Sequence, residues 1–219
     1  MNAPPGPGAR YAAAVFDLDG TLVDTEDMAN AAGVDAVRDV DASVDLAFFE
    51  GLAGVHDAER ERRLAERIGA EAAAGVMADW FARFEAAMRA GIPVMAGAEA
   101  LLARLAAAGV PVALVTSSQA RHAALKLEVT GLARFFDVVV SVDDVRRAKP
   151  APDPYLMAAE RLGVAPGACI AFEDSDTGAR SAHAAGMTVV QVPDGAGADC
   201  AHAHYRARTL AEGAALAGL

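Results

Sequence analysis

The chain has 219 residues, 54% of them apolar and 22% charged, with 30 acidic against 19 basic side chains and a formal net charge of −11. Such a length holds one ample core, or a core domain with a small insert. The acidic balance argues against a general nucleic-acid binder, because phosphate backbones are held through Lys and Arg, and against docking on an anionic membrane surface.

The opening stretch MNAPPGPGAR has no long apolar segment, so it does not read as a signal peptide, and from its Pro and Gly content a short disordered tail is expected at residues 1–10. The most apolar region, 101–115, is interrupted by Arg104, Gly109 and Pro111 and is too short and broken to span a bilayer. Cys169 and Cys200 fall in no metal-ligand spacing and read as free thiols of a reducing compartment, so a cytoplasmic protein is expected.

The first apolar run, 12–16, reads as a buried strand and ends directly at Asp17 and Asp19, in VFDLDGTLVDTE. Burying carboxylates is costly unless their charge is compensated. The pair therefore either forms an Asx-type turn in a loop or holds a cation. Residues 25–95 contain no convincing strand. They carry the charged helical text AERERRLAERIG and a stripe of Val76, Trp80, Phe81, Phe84 and Met88 at helical spacing, which reads as core. A helical insert of that length is unlike a simple crossover, and it is expected to be a separate lid-like cap, joined by linkers near 23–26 and 92–97.

After it the pattern alternates. A helix is expected at 98–108, with Leu101, Leu102 and Leu105 on one face and Gly109 closing it. A strand follows at 112–115, a helix at 119–130, a strand at 138–140 and a helix at 154–162 that starts on Pro154 and ends at Gly163. Strands at 169–172 and 188–192 flank a helix at 177–185. The strands mostly lack strict apolar–polar alternation, as expected when both sheet faces are covered. The fold class expected is α/β: a Rossmann-like parallel sheet with helices on both faces, built from 11–24 and 96–219, plus an α-helical cap of 25–95 inserted after the first strand.

In open α/β sheets ligands bind outside the carboxyl ends of the strands. Asp17, Asp19, Gly20 and Thr21 follow the first strand, and Thr116, Ser117 and Ser118 follow the second. Lys149, in RAKPAPDPY, lies after the third, and Glu173, Asp174 and Ser175 follow the fourth. The carboxylates make an oxygen-only set suited to Mg²⁺. Thr116 and Ser117 offer hydroxyl and backbone donors at a helix N-terminus, and Lys149 supplies a point charge for phosphate. Phosphoryl transfer depends mostly on such positioning and charge stabilisation.

DLDGT, LVTSS, KPAPDPY and FEDSDTGARSAHAAGM, in that order, resemble the four motifs of the haloacid dehalogenase-like hydrolase superfamily. The helical insert resembles the cap of the subfamily that contains β-phosphoglucomutase and small-molecule phosphatases. The resemblance implies that Asp17 is the nucleophile, forming an aspartyl-phosphate, and that Asp19 is the general acid and base. It implies a Mg²⁺ site from Asp17, the Asp19 backbone carbonyl and Asp174, with Glu173 as a ligand or just behind them. Thr116, Ser117 and Lys149 would bind the transferring phosphoryl group. The substrate implied is a small phosphomonoester, such as a sugar phosphate.

Rival readings differ in single features. A dehalogenase typically lacks the second aspartate, and Asp19 is present. A mutase of the β-phosphoglucomutase type typically carries a histidine about ten positions past that aspartate; Ala29 stands there, which favours a phosphatase over phosphoryl transfer within a sugar phosphate. A further departure is Ala96, where relatives often have proline. A receiver-type phospho-switch also gathers acids, a Thr or Ser and a Lys on an α/β sheet, but it lacks a helical insert. In the cap, His56, Arg60, Arg62 and Arg63 are candidates for substrate contacts, against the plainer reading of a solvated charged helix face. Asp176 reads as a helix N-cap, and His202 and His204 as exposed tail histidines. The partner expected is a small phosphorylated metabolite, with no nucleic acid and no membrane, for a monomer or small homo-oligomer.

Overall fold

A computed structural model describes residues 10–52, 57–193 and 199–219, with the backbone alone at 57 and 58. The chain divides into two compact units. One is formed by residues up to Val23 and from Pro93 to Leu219, the other by Asp24–Ile92.

The first unit is an α/β layer structure. Its strands are β1 (Ala13–Phe16), β2 (Val112–Val115), β3 (Val138–Val140), β4 (Cys169–Glu173), β5 (Thr188–Gln191) and β6 (Tyr205–Arg206). They form one parallel sheet in the order β3-β2-β1-β4-β5-β6. Alternate side chains of a strand point to opposite faces. Ala13, Val15, Ala113, Val115, Cys169, Ala171 and Val189 meet two helices, α7 (Asp153–Leu162) and α8 (Asp176–Ala184). The small residues on both sides of that layer let the helices sit close to the sheet. The alternate positions carry the larger groups. Phe16 and Phe172 stack with centroids 4.7 Å apart. Helices α5 (Ala98–Ala107) and α9 (Leu210–Ala217) cover that face, α5 against β2 and α9 against β5. Helix α6 (Ala120–Thr130) follows β2.

The chain runs outward from β1 to β2 and β3, then returns to place β4 on the other side of β1. That reversal opens a crevice at the carboxyl ends of β1 and β4, where ligands of doubly wound sheets bind. The backbone is tied across it: Asp17 N donates to Phe172 O at 3.0 Å.

The structure adds elements that the sequence reading lacked. Strand β6 is two residues long, too short to announce itself. Helix α9 is announced by TLAE: Thr209 accepts from Glu212 N, and Glu212 Oε2 accepts from Arg208 N. Helix α8 is capped by Ser175, which accepts from Gly178 N, and not by Asp176. Asp176 instead accepts from Gln191 Nε2, Asp199 N and Cys200 N, so it fastens the segment after β5. Of the expected tail, residues 1–9 lie outside the described residues. Arg10 is anchored, its guanidinium donating to Ala217 O and lying 5.6 Å from the Tyr11 ring centroid. The division between the units falls at residues 24 and 92 rather than at 25 and 95. Val94 bridges Val23 in antiparallel fashion and Met95 N donates to Leu22 O, which gives residues 93–95 to the sheet unit.

The second unit contains α1 (Glu26–Val37), α2 (Leu46–Glu50), α3 (Asp57–Ile68) and α4 (Ala70–Ala90). Its core joins Val37, Phe49, Leu52, Leu64, Val76 and Trp80, with Phe81 and Phe84 packed against it. The aromatic stripe of α4 is thus core. Trp80 Nε1 donates to Ala29 O at 2.6 Å. Gly33 lets α1 approach the Phe49 ring, which any side chain at 33 would overlap. On α3, Arg62 pairs with Glu59 and Glu66, and Arg63 with Glu59.

Candidate active site

The first residues past β1 form a tight loop. Leu22 N and Val23 N both donate to Leu18 O, and Gly20 N donates to Val23 O. Gly20 has φ +82, a backbone region that favours glycine, and a side chain there would overlap the Asp174 carboxylate. DLDGT therefore encodes a turn that brings Asp17, Asp19 and Asp174 together.

Asp17 is buried at the end of β1, and Glu173, the last residue of β4, is fully buried. Lys149 joins them. Its ammonium donates to Asp17 Oδ1 at 2.6 Å, to Glu173 Oε1 at 2.7 Å and to Val115 O at 2.9 Å, which uses all three of its N–H groups. Tyr155, fully buried on α7, donates its hydroxyl to the same Glu173 oxygen. Ser175 Oγ donates to Glu173 Oε2 at 3.3 Å. Any side chain at Gly178 would overlap the Glu173 carboxylate, so glycine there is what lets α8 lie against it.

Asp17, Glu173 and Asp174 each offer an oxygen within 4.8 Å of the others. Burial, then the neighbouring carboxylates, raise Asp174 to about 8; burial likewise raises Asp17 to about 7, with Lys149 opposing. Burial works against the charge of Lys149, but Asp17 and Glu173 outweigh it and hold its ammonium above the usual lysine range. The site thus has more carboxylate than one lysine balances. An oxygen-only donor set with unbalanced negative charge fits a hard divalent cation such as Mg²⁺.

Thr116, at the end of β2, is buried, and its hydroxyl oxygen accepts from Ser118 N at 3.0 Å, which leaves its proton for another acceptor. Ser117 is exposed. Asp19 is held by two groups. Ser118 Oγ donates to its Oδ2 at 2.9 Å, and Lys126 Nζ donates to its Oδ1 at 2.5 Å and to Ser118 Oγ at 2.9 Å.

Asp17, Asp19, Thr116, Lys149, Glu173 and Asp174 therefore come together in the sheet unit. Arg60 belongs to the helical unit, its guanidinium 5.7 Å from the Trp80 ring centroid, and His56 lies outside the described residues. Sequence reasoning missed Tyr155 and Lys126. A signal existed for the second: Lys126 falls on the buried stripe of α6 with Ala123 and Leu127, an odd place for a lysine without a partner. Of the tail histidines, His204 is exposed, as expected, and His202 is half-buried. His202 and His204 have ring centroids 5.5 and 5.3 Å from that of His183. His204 Nδ1 accepts from Val189 N, which puts the proton of the neutral ring on Nε2 and disfavours metal ligation there.

The fold and this arrangement define a hydrolase class. Residues 14–192 match the haloacid dehalogenase-like hydrolase family. Hexitol phosphatase A of Escherichia coli is 36% identical over 180 residues, 81% of each chain. Fructose-1-phosphate phosphatase of the same organism is 31% identical over 195 residues, 84% of this chain and 97% of that one. A solved HAD family hydrolase from Deinococcus radiodurans, with bound phosphate and sodium, is similar with a TM-score of 0.78 and 31% identity, covering 95% of this chain and 96% of the other. The chain belongs to the haloacid dehalogenase-like hydrolases, on their phosphatase and phosphoglucomutase side, and is an enzyme of the phosphatase type. That sets aside the receiver-like phospho-switch. Among the described residues no helix is long and apolar enough to cross a membrane.

Proposed function

We propose that the protein is a Mg²⁺-dependent phosphatase that hydrolyses a small phosphomonoester, a sugar phosphate or similar metabolite, through an aspartyl-phosphate on Asp17. The observation that carries this reading is the Lys149 ammonium shared between Asp17 and Glu173 beside Asp174. It holds a buried carboxylate oxygen in a fixed direction at the crevice of the sheet. The phosphatase relatives named above support the substrate class.

Asp17 and Asp174 would hold Mg²⁺ together with the Asp19 carbonyl, while Glu173, whose Oε1 already serves Lys149 and Tyr155, anchors the lysine from behind. Bound there, Mg²⁺ offsets the charge of the carboxylates and of the phosphoryl oxygens. In the first step an Asp17 oxygen forms a bond to phosphorus and the bond to the ester oxygen breaks, with Asp19 giving that oxygen its proton. As the Asp17 oxygen loses its negative charge, the Lys149 N–H directed at it becomes available to a phosphoryl oxygen. The Thr116 hydroxyl donates to another. In the second step Asp19 takes a proton from water, which attacks phosphorus, and Asp17 leaves as a carboxylate. Ala29, a methyl where mutases of this type carry histidine, supports water over a sugar hydroxyl as the acceptor.

The test is phosphate release from a generic aryl phosphate and a panel of sugar phosphates, with Mg²⁺ or with chelator, for wild type and Asp17→Asn. Mg²⁺-dependent turnover that the substitution abolishes is the result expected. Equal activity in the two proteins would overturn the nucleophile assignment, and a panel with no turnover would overturn the substrate class.

A further inference from the structure

We infer that Lys126 and Ser118 form a clamp that fixes the direction of the Asp19 carboxylate, making Lys126 a positioning residue for proton transfer. The inference rests on the reading of Asp19 as the acid and base.

Lys126 sits on α6, its side chain 4% exposed, while that of Asp19 is 33% exposed. Burying an ammonium is unfavourable unless a partner compensates. One such partner is Asp19, a group at the open edge of the site. The three groups close a triangle. Lys126 Nζ donates to Asp19 Oδ1 at 2.5 Å, Ser118 Oγ donates to Asp19 Oδ2 at 2.9 Å, and Lys126 Nζ donates to Ser118 Oγ at 2.9 Å. Each carboxylate oxygen thus has its own donor, and the donors hold one another. A contact on each oxygen restricts rotation about the terminal torsion of the aspartate, a torsion that is otherwise broad. The components come from three places: the loop after β1, the turn after β2, and α6. Ser118 is placed in turn by its backbone N–H on Thr116 Oγ1. The phosphate-binding threonine and the acid–base aspartate therefore share one scaffold. A residue that passes a proton to a leaving oxygen must hold its geometry in the transition state, and small misplacements are costly there.

Two aryl esters separate this role from a merely structural one. Phenyl phosphate releases phenoxide, a basic leaving group that needs a proton, whereas 2,4-dinitrophenyl phosphate releases a phenolate that does not. Lys126→Met keeps the length and apolar stem and removes the ammonium. It is expected to lower kcat on phenyl phosphate by about 10- to 100-fold, part of what a positioned acid contributes, with KM within about 3-fold. The first-turnover burst of dinitrophenolate should stay within about 3-fold of wild type, because bond formation to Asp17 needs no proton from Asp19. Ser118→Ala should shift the same parameters in the same direction by less. In an Asp19→Asn background, Lys126→Met should cost nothing further. Circular dichroism and thermal unfolding of each variant establish that it is folded. An unchanged kcat on phenyl phosphate, a burst lost along with steady turnover, or an equal further loss in the Asp19→Asn background would overturn the inference. Failure of the wild type to turn over either ester would instead strike the proposed phosphatase mechanism, so the two failures are distinguishable.

Discussion

Tyr155→Phe removes one oxygen from the buried foundation of the site and leaves the rest of the residue in place. The ring packs in the small-residue layer with Ala158, Ala179 and Ala182, and its hydroxyl meets Glu173 Oε1, a fully buried carboxylate. Burial, with Glu173 close by, raises the phenol well above its ordinary range, so it remains a proton donor throughout neutral pH. A hydrogen bond to a charged group contributes about 1.5–3 kcal/mol, and the substitution opens no cavity larger than an oxygen atom. For a chain of this size each kcal/mol shifts Tm by about 2–4 °C, so the variant should melt ~3–12 °C below wild type. Lys149 still holds Glu173, so KM should stay within about 3-fold and kcat should fall by less than about 10-fold. Differential scanning calorimetry of the two proteins reads the first effect, and steady-state phosphate release reads the second. A Tm within about 1 °C of wild type would refute the view that the hydroxyl compensates the Glu173 charge.

Other substitutions probe neighbouring parts. Asp144 accepts from Arg161 and from Ser141, which hold its carboxyl down at about 2. A depressed folded-state value stabilises the fold above the ordinary aspartate range and loses that contribution as pH falls through 2. Asp144→Asn should therefore melt below wild type at pH 7, and the difference should vanish near pH 2 in thermal scans. Mg²⁺ at a hundred times its Kd should stabilise the wild type by about 2.7 kcal/mol, visible as a Tm shift reversed by chelator and strongly reduced in Asp174→Asn. Gly20→Ala combines a φ of +82 with overlap of the Asp174 carboxylate. It should cost at least about 1–3 kcal/mol, measured by urea unfolding, and weaken the Mg²⁺-induced Tm shift.

Much of the candidate site's layout was legible because its residues sit at strand ends. Asp17, Thr116, Lys149 and Asp174 each follow an apolar run, and the grammar of parallel sheets places such residues at one edge. The rest was hidden for physical reasons. Lys126 reaches the site from the middle of a helix, where a single lysine resembles any surface charge until the buried stripe is traced through it. Tyr155 looked like ordinary core, and its value lies in one hydroxyl whose partner is far away in sequence. Strand β6 forms two residues of ladder with no local pattern to reveal it. Asp176 and Ser175 are adjacent and both suit a cap; only the backbone geometry decides that Ser175 takes it.

The bridge between Val23 and Val94 has a consequence for how this chain can change over time. It makes a two-stranded neck in which the outgoing and returning backbones run side by side, about 5 Å apart. Such a gap is spanned by a turn of about two residues. The helices of 24–92 are therefore a side branch of the polypeptide rather than a length of it that the sheet must thread. They can be lengthened, exchanged or pruned while Asp17, Lys149 and Asp174 keep their places, so the two parts of the chain are free to evolve at different rates.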